Sequence, residues 1–362
     1  MAEHRRWPVW AMKILAVLYP GGKAARGNPE LLGAAENALG LRRFLKSKGH
    51  DLVVLTEKER DLDREIRWAD VVITTPFWPA YITTERIDKA KKLKLILTAG
   101  VGSDHIDLAA AAKRGIMVAE ITGSNVVSVA EHAVMQILTL VRNYLPAYKQ
   151  VLEGRWDIAE AAARSHDLEG KTVGIVGAGR IGQRVALRLR PFNVTTLYYD
   201  YRRLSTVEEE VLGAEYALLD DLVRRCDVIT IHCPLTPETD GLFDKNRLFR
   251  MKKGACLVNT ARGRIVNTEA LVQAMEKGHL AGYAGDVWYP QPAPPDHPWR
   301  TMPNHALTIH VSGTSLEAQK RYSDGIRDCL ERFFLGKPIE RDYLIVDGGR
   351  VVSPSYSYAF KG

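Results

Sequence analysis

Cysteine is scarce in this chain and unpatterned: four residues in 362, Cys226, Cys233, Cys256 and Cys329, with no CxxC pair. That argues against a disulfide framework or a cysteine metal knuckle, and for reduced, ordinary thiols. Long apolar runs are also missing. The longest nearly apolar stretch, "AVMQILTLV" at 133–141, is far short of the ~18 residues a bilayer span requires. The opening "MAEHRRWPVW" has two arginines but no signal-like apolar segment, so the expected location is cytoplasmic, with a mitochondrial precursor left open. Charge of one sign is modest as well. Fifty basic against forty-three acidic residues give +7, spread along the chain rather than clustered with aromatics as nucleic-acid binding would want. There are no internal repeats and no low-complexity tracts.

What the chain does have is a 46% hydrophobic content, enough for a large core and, at this length, two domains. Short Val/Ile/Leu-rich runs alternate with amphipathic segments: "KILAVLY", "DLVVL", "DVVIT", "KLILT" and "IMVA", then after Gly170 "KTVGIVG", "TTLYYD", "DVITIH", "ACLVNT", "AGYAGDV" and "ALTIHV". Such alternation is the mark of βα units around a parallel sheet. Two series predict an α/β chain of two doubly wound, Rossmann-like domains. The expected boundaries are 1–125 with 312–362 for a discontinuous, flavodoxin-like substrate domain, and 126–311 for a dinucleotide-binding domain. A helix capped by Ser128, with Glu131 three residues on, is expected to link the two and to run on through "LVRNYLPAYKQVLEGRW". A second helix carries Ile326, Leu330, Phe333 and Phe334 on one face and stops at Gly336. The last residues, "PSYSYAFKG", look frayed.

The strongest local signal is "TVGIVGAGRIGQRVALRLRPFNVTTLYYDYRR". Gly177, Gly179 and Gly182 follow a strand and open a helix, and Asp200 ends the next strand about twenty residues on. Gly177 permits a tight turn, Gly179 lets a pyrophosphate approach the backbone, and Gly182 lets the helix pack on its strand. A pyrophosphate then rests on the helix N-terminus. Asp200 can accept both ribose hydroxyls and repels a 2′-phosphate, which favours NAD over NADP, although Arg202 and Arg203 stand nearby.

Polar residues at strand ends of the second series are the candidates for chemistry. Arg262 in "VNTARGR" can grip a carboxylate by two parallel hydrogen bonds; a surface salt bridge is the plainer alternative. His310 in "LTIHVSG" could be structural, Asn125 a helix cap, and Phe77 core. "DVWYPQPAPPDHPW", 286–299, spends five prolines on a segment that holds one amide, Gln291.

The motifs "LYPGGK", "GAAENALG", "TPFWPAYIT", "AGVGSDHIDL", "GSNVVSVAEH", "DLEGKTVGIVGAGRIG", "LVNTARG", "GDVWYPQPAPPDHPW" and "FFLGKPI" span nearly the whole chain. Through them it resembles the D-isomer-specific 2-hydroxyacid dehydrogenases and, among these, the metal-free NAD-dependent formate dehydrogenases. The resemblance implies an NAD-dependent enzyme that oxidises formate to CO2 and works as a homodimer, with no nucleic-acid or membrane partner and no metal. It implies that Arg262 and Asn125 hold formate, that a hydrogen-bonded His310–Gln291 pair lies beside it, and that Phe77 and Val101 form apolar walls, so that the active site is expected in the cleft between the two domains. It also implies cofactor contacts from Gly177, Gly179, Arg180, Ile181, Gly182, Asp200, Pro234, Thr260, Asp286, His310, Ser312 and Gly313.

Relatives that oxidise 2-hydroxy acids resemble one another in carrying glutamate where Gln291 stands. Their glutamate raises the histidine pKa for proton exchange with a hydroxyl, and formate has no hydroxyl. Two positions depart from the formate dehydrogenase pattern, Ile309 in place of proline and Thr236 in place of histidine. They keep open a hydroxyacid dehydrogenase or glyoxylate reductase, and behind it an NADH-sensing protein similar to corepressors of this fold.

Overall fold

The computed structural model describes residues 11–357. Over these the chain divides into two compact units, one running to Asn125 and resuming at Gly313, the other Val126–Ser312.

In the first unit, β1 (Lys13–Val17), β2 (Asp51–Leu55), β3 (Val71–Thr74), β4 (Leu95–Thr98) and β5 (Met117–Glu120) pair in parallel in the order β2-β1-β3-β4-β5. This is the flavodoxin-like arrangement. Every residue of β3 and β4 is buried, because helices cover both faces and a strand between them must be apolar on both sides. Alternate residues serve opposite cores: Ile14 and Ala16 on one face of β1, Leu15 and Val17 on the other. Each such aliphatic side chain contributes roughly 1.5–3 kcal/mol by leaving water.

The second unit holds β6 (Thr172–Val176), β7 (Thr195–Tyr199), β8 (Ala214–Tyr216), β9 (Val228–Ile231), β10 (Ala255–Asn259), β11 (Leu280–Gly285) and β12 (His305–Leu307). They run in parallel in the order β8-β7-β6-β9-β10-β11-β12, the Rossmann order with a seventh strand added. The two sheets are therefore the doubly wound pair that the apolar alternation predicts. The three-residue β8 was not legible, being too short to carry a pattern.

Two further strands escaped sequence reading. β13 (Leu344–Asp347) joins β5 antiparallel, and β14 (Arg350–Val351) folds back on it. The turn between them is Gly348-Gly349, at φ +57° and +77°, the left-handed pair that a tight hairpin needs. The first sheet thus has an antiparallel edge beyond its five parallel strands.

The linking helix needs correction. It spans Val126–Val141, so Ser128 lies inside it rather than at its cap. The expected continuation is broken at Asn143 (φ +49°), whose Nδ2 donates to the Ala161 carbonyl at 3.1 Å, and a new helix covers Tyr144–Leu152. Pro146 explains the break: in an unbroken helix it would lack the N–H owed to Arg142, but in the first turn of a new one it is harmless. The late helix, Leu316–Phe334, is capped by Ser315 and stops at Gly336 (φ +63°) with Ile326, Leu330 and Phe333 buried, in keeping with its pattern. The terminal stretch is not wholly frayed: Pro354–Ser357 form a helical turn and Tyr356 is buried. The rest of that stretch, 358–362, lies outside the described residues, as does the N-terminal decapeptide.

Candidate active site

Strand order reverses between β6 and β9, and the carboxyl ends of these strands frame the crevice where such folds bind ligands. Gly177 leaves β6 at φ +99°, and a Cβ on it would stand 2.5 Å from the Cys233 amide nitrogen and 2.7 Å from the His232 carbonyl carbon. Only glycine fits. A Cβ on Gly182 would lie 2.1 Å from the Gly177 oxygen, whereas nothing lies within 4 Å of one on Gly179. The first two glycines serve close packing, and the open side of Gly179 leaves the backbone approachable by a pyrophosphate. The helix Arg180–Leu189 starts there, with Arg180 exposed and Ile181 half-buried against the core. At the end of β7 the Asp200 carboxylate accepts from the Ala178 N–H (2.8 Å) and the Arg202 N–H (3.1 Å), which fixes it beside the glycine turn. This donor-rich cradle with an acid at its rim fits a dinucleotide.

Behind the cradle stands a residue that sequence reading passed over. His232, just past β9, places its Nε2 2.9 Å from Thr230 Oγ1 and its Nδ1 3.3 Å from Thr260 Oγ1, while Pro234 receives the Thr239 hydroxyl at 2.6 Å. Burial pushes the His232 pKa down to about 3, so the ring is neutral in the folded protein. An unfolded histidine titrates near 6.5. The stability gained by keeping it neutral is therefore complete above that pH and is lost as pH falls from ~6.5 toward 3, by up to about 1.4 kcal/mol per unit. A His232→Asn variant should show a shallower fall of Tm between pH 7 and 5; parallel curves would rule the effect out.

Arg262 follows β10 at an extended φ of −144°. Asn259, fully buried, braces its turn: Nδ2 donates to the Arg262 carbonyl (2.9 Å) and Oδ1 accepts from the Ala261 N–H (3.0 Å). The guanidinium in turn donates to the Ala261 carbonyl at 2.8 Å. Gly263 must be glycine, since a Cβ would meet the Trp288 backbone at 2.5 Å. Asn259 lies in a strand that reads as uniformly apolar-buried, and only the turn geometry reveals it.

Asp286, fully buried just past β11, gathers the loop that carries His310. Its carboxylate accepts from the Val311 and Ser312 N–H groups, each at 2.8 Å, and from the Thr308 hydroxyl at 2.5 Å. Thr308 also meets His132 Nε2 at 3.2 Å; burial lowers the His132 pKa, and the Asp286 charge opposes that shift. His310 between these anchors has φ +64°, a left-handed conformation that costs a non-glycine residue of order 1–3 kcal/mol and persists only where surroundings impose it. Ile309, beside it, is 78% exposed and imposes nothing. The anchoring that a proline would supply comes instead from Asp286.

The His310 Nδ1 lies 2.8 Å from Gln291 Oε1. Gln291 sits on the proline-rich segment between two cis bonds, Tyr289–Pro290 and Gln291–Pro292. That segment is pinned by aromatic packing: Trp288, His297 and Trp299 meet at centroid distances of 5.2–6.0 Å, and Trp288 Nε1 donates to the Thr308 carbonyl at 2.7 Å. The tryptophans hold both ends, one of them against the His310 loop. An Nδ1–H donated to the amide oxygen leaves Nε2 an acceptor in the neutral ring and a donor in the imidazolium. The amide turned end for end donates to Nδ1 and makes the neutral ring a donor at Nε2. An amide supports either state; a carboxylate would favour only the charged one.

In the first unit, Phe77 lies half-buried against Tyr19 and Tyr322, at 5.9 and 6.0 Å. Val101 sits between Gly100 (φ +137°) and Gly102 (φ +113°). Asn125 abuts Gly313, where a Cβ would stand 2.7 Å from Nδ2, and its Oδ1 is buried without a hydrogen-bond partner. Leaving such an acceptor unsatisfied costs about 1–3 kcal/mol, which a residue kept only as a helix cap would not warrant. Among the described residues no group of three His, Cys, Asp or Glu side chains could hold a metal ion.

A glycine cradle, a braced arginine and an anchored histidine on one Rossmann sheet define an NAD-linked dehydrogenase. Residues 134–312 match the family described as D-isomer specific 2-hydroxyacid dehydrogenase, NAD binding domain. The mitochondrial formate dehydrogenase of Solanum tuberosum is 52% identical over 348 residues, 95% of this chain and 91% of that protein. The formate dehydrogenase of Neurospora crassa is 54% identical, with 95% and 96% covered. The NAD-dependent formate dehydrogenase of Staphylococcus aureus, solved in complex with NAD, superposes with a TM-score of 0.87 at 54% identity over 92% of this chain and 99% of that one. The chain belongs to the formate dehydrogenase family of the D-isomer-specific 2-hydroxyacid dehydrogenases.

Proposed function

We propose that this protein oxidises formate to CO2 by direct hydride transfer to NAD+. The observation that carries the reading is the His310–Gln291 pair at 2.8 Å, an amide where an acid–base pair for a hydroxyl substrate would need a carboxylate. Bound NAD+ supplies the hydride acceptor; the formate C–H bond breaks with its electron pair, and no proton leaves the substrate. Arg262 and Asn125 are assigned to the formate oxygens, His310 with Gln291 to positioning them, and Phe77 and Val101 to excluding water. Gly177, Gly179, Arg180, Ile181, Gly182, Asp200, Pro234, Thr260, Asp286, His310, Ser312 and Gly313 are assigned to the cofactor. Asp286 and Ser312 already bond to one another, so in this reading they place the histidine loop and the nicotinamide together.

Formate is an anion and the nicotinamide a cation, and both charges vanish as hydride passes. A dry pocket therefore favours the transition state, and Arg262 serves chiefly to orient. Appearance of NADH absorbance with formate and NAD+ tests the reading, and a preference for glyoxylate with NADH would overturn it in favour of a hydroxyacid enzyme. Gln291→Glu probes the pair itself. The new carboxylate holds the ring as imidazolium at low pH; above the raised histidine pKa the pair becomes a net anion that repels formate. The KM for formate should then climb above about pH 7–8, whereas the native enzyme stays flat there, and coincident profiles would sink the idea.

An apolar surface supports the homodimer. The helix Tyr144–Leu152 buries only Gln150 among its own residues, Ile158–Ala162 buries none, and Trp156 between them is 85% exposed. Tyr144, Tyr148, Val151, Leu152 and Ile158 share this exposed set, which is the kind of patch a second copy covers. No described helix is long and apolar enough to cross a membrane. Thiols at Cys226, Cys233, Cys256 and Cys329 that are free and pushed up by burial suit a reducing cytoplasm.

A further inference from the structure

We infer that Tyr356, near the C-terminus, is a positioning residue for the substrate pocket, acting with Glu120 through the turn that carries Val101. This rests on the assignment of Val101 as a wall of the formate pocket.

The turn Gly100-Val101-Gly102 joins β4 to the segment before β5, and both glycines lie at positive φ, so its shape is set by its anchors rather than by side-chain preference. On one side, a Cβ on Gly100 would stand 3.0 Å from Pro76 Cδ and 3.9 Å from Phe77, so the turn rests against the segment bearing the other proposed wall. On the other side is a buried polar knot. Glu120, at the end of β5 and 5% exposed, accepts on Oε2 from the Gly102 N–H (3.0 Å), the Ser103 hydroxyl (2.9 Å) and the Tyr356 hydroxyl (3.4 Å). Tyr356 also accepts from the Ser103 N–H at 2.8 Å, and Thr98 Oγ1 lies 3.0 Å from Ser103 Oγ.

The tyrosine hydroxyl therefore bridges a backbone N–H of the turn and the carboxylate that holds the neighbouring N–H. Buried N–H groups without partners are rare and costly, so removing that oxygen frees the Val101 turn from one of its anchors. The ring itself packs in the core with Val118 and Ile345 and would survive exchange for phenylalanine. Tail and pocket wall are thus coupled across 253 residues of sequence by one hydroxyl.

The test is Tyr356→Phe in the full chain beside Val101→Ala, with steady-state kinetics and amide hydrogen exchange over 99–104. Tyr356→Phe should speed exchange in that segment roughly tenfold or more. It should raise the formate KM by roughly three- to tenfold while the NAD+ KM stays put, a split that a purely structural tyrosine would not produce. Unchanged exchange overturns the brace. Faster exchange with a normal formate KM in Tyr356→Phe but a raised one in Val101→Ala overturns the coupling to substrate. A normal formate KM in both variants overturns the assignment of Val101, and with it the tyrosine's role in the pocket.

Discussion

Arg262→Ala should lose two or more orders of magnitude in kcat/KM for formate. The guanidinium is the proposed clamp of the smallest possible carboxylate, a substrate with no remote groups by which to be held in place. Orientation must come from the two oxygens alone, so a clamp lost here has no substitute. Asn259, the Ala261 carbonyl and the contact of Gly263 with Trp288 hold the arginine turn in place, and this preorganisation is why little ordering remains to be done on binding. Stability should hardly change, since the side chain is half-exposed. Arg262→Lys should recover only part of the loss, because an ammonium lacks the planar fork. Kinetics at saturating NAD+ with a Tm for each variant is the measurement. Arg262→Ala with activity within a few-fold of the native enzyme would remove arginine from the mechanism.

Asp286→Ala should cost both folding and catalysis. Three donors, two backbone N–H groups and the Thr308 hydroxyl, converge on this fully buried carboxylate. Hydrogen bonds to a charged group contribute about 1.5–3 kcal/mol each, and removing the charge recovers its own desolvation. The net loss should be about 2–4 kcal/mol, visible as a lower urea midpoint. His310 at φ +64° relaxes once its anchors go, so kcat/KM should fall about a hundredfold or more. Asp286→Asn retains the volume and one acceptor and should be milder on both counts. A midpoint within ~0.5 kcal/mol of the native protein would show that the loop is held by something else.

Much of the proposed site rests on residue order and on the family resemblance. The Gly177–Gly182 turn, Arg262, Gln291 and His310 each stand directly after a strand or on a segment whose composition marks it, and chemistry narrows what such residues can do. The partners behind them were not legible. Asn259 and His132 are ordinary residues in a strand and a helix, His232 and Thr308 lie just past strands, and nothing in their neighbours along the chain says what they face. The stretch around Tyr356 looks frayed in sequence because terminal polar-aromatic stretches usually are; a contact 253 residues away leaves no local trace.

Local periodicity and turn chemistry by themselves determined two βα series and the dinucleotide cradle with its acid, since each depends on residues within reach of one strand or turn; that Gln291 stands where a carboxylate is expected follows only from the family resemblance. Tertiary structure alone decided the antiparallel edge of the first sheet, the break at Asn143, the left-handed backbone of His310 and the buried carboxylates, Asp286 and Glu120, that hold the two loops. These depend on hydrogen bonds between segments distant in sequence, where burial makes an unpaired donor costly and so dictates which distant groups must meet.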